Sequence, residues 1–504
     1  MSDTHELGRG GRLRGAAAGE LVAAAFAAES AHGPRLAHGL SLADLAHAVA
    51  LVEGGGVRGD DAAALLRGLL ELHEIPGDDF PWDPALGDAF NSREAELERR
   101  VGRSAAGWLS AGRPRREAFR VGLRLTAAAG TRELHDALVA QAGALAAHAR
   151  ATRDALATDY TYLQPAQPTT VGHLLLAYAY PALRDAERAQ RSHTALLRSV
   201  AGAGGSAGSR WALDRMRLAE LLGSDELIHH AKDAAWQADV YVELLAALAI
   251  AAAHQSELGQ DFEIYASQEF GLLELADAHS RASALMPQKK NPYALAAIRT
   301  QAAQAAGDLA GALVALHTGT ARTDHFHLLN GLVPRALDEA VAIARLTASV
   351  LEGMELRPPR FAQIARESFV TAADVSDVLA LSGQTDYRTA HKVVGRAVRE
   401  LVDAGEPPSA LTTERLSRAA DALGVSVDID EATLRDAIDP AACVAARKQA
   451  GSSSAAAMDA MLAEIDELAA GYARWSEDAN SRAAGAEAAL LARAQELASS
   501  AAAT

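Results

Sequence analysis

The chain has 504 residues, and 48 lysines and arginines against 65 aspartates and glutamates give it a net charge of −17. Hydrophobic residues make up 49% and aromatic residues only 5%. Because alanine supplies much of the apolar share, closely packed helices are favoured over sheets. The acidic balance argues against nucleic acid and anionic membrane surfaces as partners. The single cysteine, Cys443, excludes an intramolecular disulfide framework and suits a reducing cytoplasm.

The N-terminal third predicts short helices around an irregular stretch. Residues 1–14 are polar and glycine-rich without an apolar core, and no run reaches the ~18 apolar residues of a membrane span. We therefore expect a cytoplasmic protein. Apolar residues at helical spacing predict helices over 40–52 and 60–72, and three prolines interrupt residues 75–91.

Long alanine- and leucine-rich segments dominate the middle of the chain and predict a helical bundle. They are 117–156, 172–199, 226–256, 292–317 and 334–351. After Pro358-Pro359 the predicted helices are shorter: 372–381, 387–404, 411–423 and 455–470. The boundaries suggest an N-terminal domain (1–114), a central bundle (115–357) and a C-terminal domain (358–504). No strand is predicted, and the alanine-rich tail 487–504 is expected to fray.

Several weak motifs are better explained without chemistry. The glycine-rich run 202–207 fits a loose dinucleotide pattern, but it follows a helical segment, so a flexible connection is the better interpretation. The run 324–327, Asp-His-Phe-His, lacks a further metal ligand, and no metal site is predicted. His229-His230 indicates a solvated turn, and Cys443 an inert buried thiol.

One segment, Ser283-Ala-Leu-Met-Pro-Gln-Lys-Lys-Asn-Pro292, concentrates chemistry. Asn291 and Pro292 predict the cap and first position of the following helix, whose N-terminus favours an anion. Lys289 and Lys290 add positive charge, so the segment predicts a carboxylate site. A basic surface turn is the plain alternative.

This loop resembles the G-S-S-x-M-P-Q-K-K-N-P loop of the argininosuccinate lyase branch of the fumarase/aspartase superfamily. Four further segments match in the same order, over about residues 107–453. They are 111–125 (T-G-R-S-R-N-D), 161–173 (T-H-L-Q-P-A-Q-P), 267–270, and the C-terminal stretch around 369–395.

The resemblance implies an all-α, three-domain fold whose long helices form a twenty-helix core in a homotetramer, with active sites shared between subunits. It implies reversible β-elimination from a small succinyl compound with release of fumarate, and no metal or organic cofactor. Ser283 would be the base and Lys289 and Asn291 would stabilise the aci-carboxylate. The candidates for holding the substrate are Arg115, Arg116, Thr161, Gln164, Met286 and Gln288.

Departures from the family pattern concern the amine end of the substrate. Tyr162 replaces the family histidine and Ala296 its glutamate partner, so Tyr162 is the candidate proton donor. Arg116 replaces an asparagine. The family's Y-N-K-D-L-Q-E-D-K segment aligns with 322–330, where Arg322, His327 and Asn330 replace Tyr, Gln and Lys.

The retained succinyl end and the altered amine end favour a carbon–nitrogen lyase acting on another N-succinyl amine. The added arginines suit an amine with its own carboxylate, such as an amino acid or aminopolycarboxylate. Argininosuccinate lyase itself, elimination of a non-amine group, and a catalytically silent homologue are the alternatives.

Overall fold

The computed structural model describes residues 15–211, 213–319 and 322–501, and most of these residues are helical. The N-terminal helices are α1 (Gly19–Leu21), α2 (Ala27–Ser30), α3 (Gly33–Glu53), α4 (Gly59–His73) and α5 (Ala89–Ala106). A π-helical turn, Val22–Phe26, joins α1 to α2. The proline-rich stretch contains only 3-10 turns, and Asp88 ends it by accepting the N–H of Asn91 (3.2 Å) as the cap of α5.

Long helices form the central part, as the alanine-rich segments predict. The helices are α6 (Arg115–Ala151), α7 (Val171–Leu197), α8 (Arg215–Leu221), α9 (Ala231–Trp236), α10 (Asp239–Tyr265), α11 (Tyr293–Ala315) and α12 (Asp324–Gly353). Their buried alanine, leucine and valine side chains form two adjoining cores along the bundle. The predicted all-α fold is confirmed.

The single helix predicted over 226–256 is wrong, because the chain breaks between α9 and α10. The carbonyl of Trp236 accepts a hydrogen bond from His325 Nε2 at 2.9 Å, and the carbonyl of Ala235 accepts one from Arg120 Nε at 3.3 Å. Side chains from α12 and α6 thus bind the last carbonyls of α9, so a tertiary contact replaces helix continuation.

Short antiparallel strands also occur, although none was predicted. β1 (Leu156–Thr161) pairs with β2 (Gln164–Thr170), β3 (Leu273–Glu274) with β6 (Glu355–Leu356), and β4 (Arg281–Ala282) with β5 (Lys290–Asn291). The β1–β2 turn is formed by Tyr162 (φ 54°) and Leu163 (φ 58°), both left-handed. Neither glycine nor asparagine marks this turn, which explains why the sequence pattern missed it.

The C-terminal part contains a small helical cluster followed by one very long helix. The cluster comprises α13 (Pro358–Glu367), α14 (Ala372–Leu381), α15 (Tyr387–Ala404), α16 (Thr413–Asp421), α17 (Glu431–Ile438) and α18 (Pro440–Ala446). Helices α14 to α17 share a core of their own, which includes Val393 and Leu416.

The last helix, α19 (Ala455–Ala501), runs for 47 residues. The expectation that the tail frays is wrong for the described residues up to Ala501, and 502–504 lie outside them. Leu490, Ala494 and Ala498 are buried in the core formed with α3 and α4. Packing against the N-terminal helices therefore stabilises the tail.

The helix α3 is apolar because it is buried within the subunit. Among the described helices, α3 is the one long and apolar enough to span a membrane, yet 78% of its apolar 18-residue window is buried. A Cβ on Gly39 would lie 2.4 Å from the carbonyl oxygen of Gly122. The glycine thus permits close approach of α3 to α6, as expected of a core helix.

Candidate active site

The loop between β4 and β5 carries Ser283 in a distinctive hydrogen-bond arrangement. The backbone N–H groups of Leu285 and Met286 donate to Ser283 Oγ at 3.3 and 3.0 Å. Most of the loop is exposed, including Gln288 and Lys289. Two N–H donors aimed at one oxygen stabilise negative charge on it.

The two loop lysines have different surroundings. Lys290 Nζ lies 2.9 Å from Glu274 Oε1 and 2.7 Å from Asp277 Oδ1, and these ion pairs raise its pKa. Lys289 has no ion pair within the described part of the chain. Lys289 is therefore the loop cation left to meet a bound anion.

The predicted capping role of Asn291 is wrong. Helix α11 begins at Tyr293 after Pro292, and Asn291 lies in β5. Its side-chain Nδ2 donates to the carbonyl of Arg281 at 2.9 Å and so closes the base of the loop. The second N–H of this amide remains a possible donor to a ligand.

The second group of candidates lies at the tip of the β1–β2 hairpin. Thr161 pairs with Gln164 across the turn, and Tyr162 is 100% exposed. Left-handed backbone costs a non-glycine residue roughly 1–2 kcal/mol, so the fold holds Tyr162 and Leu163 in a strained turn. The candidate proton donor thus projects from the surface of the chain.

The third group occupies a cleft at the start of α6. Arg115 Nη1 lies 3.2 Å from Asp88 Oδ2. Burial raises the pKa of the Asp88 carboxyl, which the Arg115 charge opposes. Arg116 lies over the ring of Trp236, and burial with the charge of Arg115 lowers the pKa of its guanidinium.

Arg120 belongs to this cleft, although the sequence analysis did not select it. It lies one helical turn after Arg116 and over the ring of Phe326, and burial lowers its pKa to about 9. The four-residue spacing of Arg116, Arg120 and Arg124 on α6 was the signal available in the sequence. No spacing in the sequence indicated the two backbone N–H groups that donate to Ser283 Oγ.

Part of the segment aligned with the amine end faces the same cleft. His327 and Asn330 line it together with Arg116 and Arg120, whereas Arg322 is exposed outside this lining. His327 Nδ1 lies 2.6 Å from Glu29 Oε1. The side-chain oxygen of Asn330 is buried without a hydrogen-bond partner among the described residues.

The glycine-rich run holds an internal carboxylate. The N–H groups of Gly202 and Gly204 donate to Glu117 at 2.6 and 2.7 Å. Burial raises the pKa of Glu117, and these two donors oppose the shift. The run is therefore a connection anchored to the first turn of α6, as the missing strand context predicts.

The other weak motifs have structural surroundings of their own. His325 binds the carbonyl of Trp236 within the helix packing, and His230 caps α9 on the surface. Cys443 is buried, and its pKa is raised to about 12 mainly by that burial. Such a thiol is a poor nucleophile at neutral pH.

Within this chain the three candidate groups stay separate. No hydrogen bond, ion pair or ring contact among the described residues links the Ser283 loop, the hairpin tip and the α6 cleft to one another. The Ser283 loop and the hairpin tip are largely exposed.

Comparisons with known proteins establish the family. The family described as lyase matches residues 25–307, and argininosuccinate lyase C-terminal matches residues 369–445. An argininosuccinate lyase of Halobacterium salinarum is 34% identical over 430 residues, 84% of this chain and 85% of the relative. One of Methanoculleus marisnigri is 31% identical over 484 residues, 95% and 96% of the two chains. The chain belongs to the argininosuccinate lyase branch of the fumarase/aspartase superfamily.

Solved structures agree with this family. An EDDS lyase variant with bound fumarate has a TM-score of 0.85 at 25% identity and covers 97% of each chain. EDDS lyase in complex with formate also scores 0.85 at 25% identity, over 99% of each chain. A fumarate lyase from Mesorhizobium sp. BNC1 shares the fold, with a TM-score of 0.69 at 20% identity. The protein is a fumarate-releasing carbon–nitrogen lyase, as the resemblance predicts.

Proposed function

We propose that this lyase reversibly eliminates an amine from an N-succinyl amine, with Ser283 as the base. The arrangement of its loop carries the proposal. Ser283 Oγ accepts two backbone N–H groups, and Lys289 lies in the same loop without an ion-pair partner in the described residues. N–H donors and a nearby cation favour the alkoxide, which serine needs because its hydroxyl is otherwise a weak base.

The proposed elimination has two steps. Ser283 removes a proton from the carbon next to a carboxylate, and that carboxylate becomes a dianionic aci-carboxylate bound by Lys289 and Asn291. The electron pair then forms the double bond of fumarate as the carbon–nitrogen bond breaks. Tyr162 gives a proton to the leaving amine unless the amine departs already protonated. The scheme requires no metal or cofactor.

The succinyl carboxylates are assigned to residues from all three groups. Arg115, Thr161 and Gln164 supply a cation and polar donors, while Met286 and Gln288 contact the substrate from the loop. Because Tyr162 projects into solvent, we assign its partners in the site to other subunits. This assignment supports a homotetramer with active sites shared between subunits.

The cleft at α6 supports an amine that carries its own carboxylate, such as an amino acid or aminopolycarboxylate. Arg116 and Arg120 bring two guanidinium groups to it, and the unpartnered oxygen of Asn330 offers an acceptor for an N–H group. Planar guanidinium groups bind carboxylates through paired hydrogen bonds. The likeness to EDDS lyase also favours a substrate other than argininosuccinate.

Argininosuccinate lyase activity is the second candidate, because relatives with that name are 34% identical to this chain. The replaced residues at 162, 296 and 322–330 count against it. Elimination of a non-amine group has less support, since the matching families and relatives follow the argininosuccinate pattern.

The deciding experiment supplies fumarate with arginine, aspartate or ethylenediamine and follows the loss of fumarate absorbance and the adducts by mass spectrometry. Argininosuccinate and EDDS are offered in parallel for cleavage. We expect an adduct with a carboxylate-bearing amine other than arginine, abolished by Ser283→Ala with the tetramer intact. Rapid cleavage of argininosuccinate would overturn the assignment of the amine end. Unchanged turnover by Ser283→Ala would refute the assignment of Ser283 as the base.

Mixed tetramers test the shared site. Ser283→Ala and Tyr162→Phe are each expected to be nearly inactive. Random reassembly of the two variants should place both intact side chains in about a quarter of the sites and restore activity there. Absence of recovery after confirmed subunit exchange would refute sites shared in this way.

A further inference from the structure

Three potential metal ligands meet where α19 packs against α3 and α4. His38 of α3 lies with its Nε2 3.2 Å from Glu487 Oε2, and His73, the last residue of α4, lies with its Nε2 3.5 Å from Glu487 Oε1. One ligand atom from each of the three side chains lies within 4.8 Å of the other two. This cluster is separate from all three groups of catalytic candidates.

The separations are those of ligands around a small tetrahedral ion. Zinc binds histidine nitrogen and carboxylate oxygen at about 2.0–2.2 Å, so neighbouring tetrahedral ligands lie about 3.4 Å apart. The two nitrogen–oxygen contacts, 3.2 and 3.5 Å, lie close to this value, each to a different oxygen of the carboxylate. Two histidines and one glutamate are also a ligand set that zinc uses when a fourth position is left to water.

A hydrogen bond orients one ligand. Ser41 Oγ lies 3.1 Å from His73 Nδ1, so the Nδ1 side of the ring is occupied and Nε2 faces Glu487. Ser41 is 3% exposed, and the His73 side chain is 10% exposed. Hydrogen bonds of this kind fix the orientation of metal-binding histidines.

We propose that His38, His73 and Glu487 form a zinc site that links the C-terminal helix α19 to the N-terminal helices. His38 and Glu487 also line a cavity of about 450 Å³, toward which the fourth ligand, a water molecule, would face. The zinc ion would replace the close contacts between the imidazoles and the carboxylate. Its expected effect is to hold α19 against α3 and α4.

The test uses the full chain without a histidine tag, stripped with a chelator and titrated with zinc chloride by calorimetry. We expect one zinc ion per chain and a higher unfolding temperature in its presence. Glu487→Gln and His38→Ala should each weaken binding at least tenfold, and Ser41→Ala by about tenfold. The double variant His229→Ala/His317→Ala removes two exposed histidines elsewhere and should bind like the parent.

His38 keeps the test decisive, since its side chain is 64% exposed and its removal leaves the core intact. If zinc binds equally well to His38→Ala, or if no ion binds at one per chain, the proposal is wrong and the cluster is a set of imidazole–carboxylate contacts only. The readouts are binding and unfolding temperature, so they do not depend on which amine the enzyme uses.

Discussion

The carboxylate of Asp44 holds two buried arginines, and we predict that Asp44→Asn strongly destabilises the protein. Arg93 Nε donates to Asp44 Oδ2 at 2.9 Å, and Arg113 Nη2 donates to Oδ1 at 2.7 Å. All three side chains are only 1–2% exposed. The cluster fixes the segment that leads into α6, two residues before Arg115.

The magnitude follows from the burial. Asparagine keeps one oxygen acceptor but has no charge, so both guanidinium groups lose their charged partner in the core. Breaking a buried ion pair on one side costs about 3–5 kcal/mol. At about 2.1 cal/mol/K per residue, unfolding 504 residues has an entropy of about 1.1 kcal/mol/K, so the unfolding temperature should fall by about 3–5 °C.

An exposed pair of the same chemistry is the matched control. Asp338 binds Arg35 at 2.8 Å, but these side chains are 62% and 49% exposed. Asp338→Asn should cost less than about 1 kcal/mol. Thermal unfolding followed by circular dichroism compares the two variants with the parent. Equal unfolding temperatures for the two variants would refute the view that burial makes the Asp44 cluster important.

Three further predictions concern the site and the core. Lys289→Met should lower kcat about 10²–10³-fold. Lys290→Met should keep a kcat near that of the parent, because Glu274 and Asp277 hold the Lys290 ammonium. Steady-state kinetics compares the two variants. Tyr162→Phe should lower kcat about 10²–10⁴-fold, and unchanged turnover would mean that the amine leaves already protonated. Burial lowers the pKa of His193 from 6.5 to about 4. As the pH falls from 6.5 to about 4, this histidine therefore becomes protonated in the unfolded chain before it does in the folded chain, which lowers stability. The unfolding temperature should fall less over this pH range for His193→Gln than for the parent.

Periodicity predicts the helices whose stability comes from their own apolar faces. The segments 372–381 and 387–404 coincide with α14 and α15, and α3 ends at Glu53, one residue beyond the predicted 40–52. In these helices, local pattern and tertiary packing favour the same residues. The family is likewise predictable, because the loop 283–292 is contiguous in the sequence.

Distant contacts decide the elements that the sequence does not predict. The break between α9 and α10 depends on Arg120 and His325, and the tail of α19 is held by packing against α3 and α4. The turn at Tyr162 and Leu163 adopts a backbone that neither side chain favours. Local propensity contains no information on any of these contacts.

The two ends of the proposed site differ in how far apart their residues lie in the sequence. The base, its two N–H donors and the free lysine all lie within seven residues, 283–289, so a sequence resemblance transfers them together. The amine end is lined by side chains from four distant segments, around Glu29, Asp88, Arg116 and Asn330. We therefore expect a change at Glu29, Arg116 or Asn330 to alter the amine while leaving the loop that performs the elimination intact. Substitutions in the cleft, such as Asn330→Asp, should therefore change which amine is used before they change the rate of proton removal.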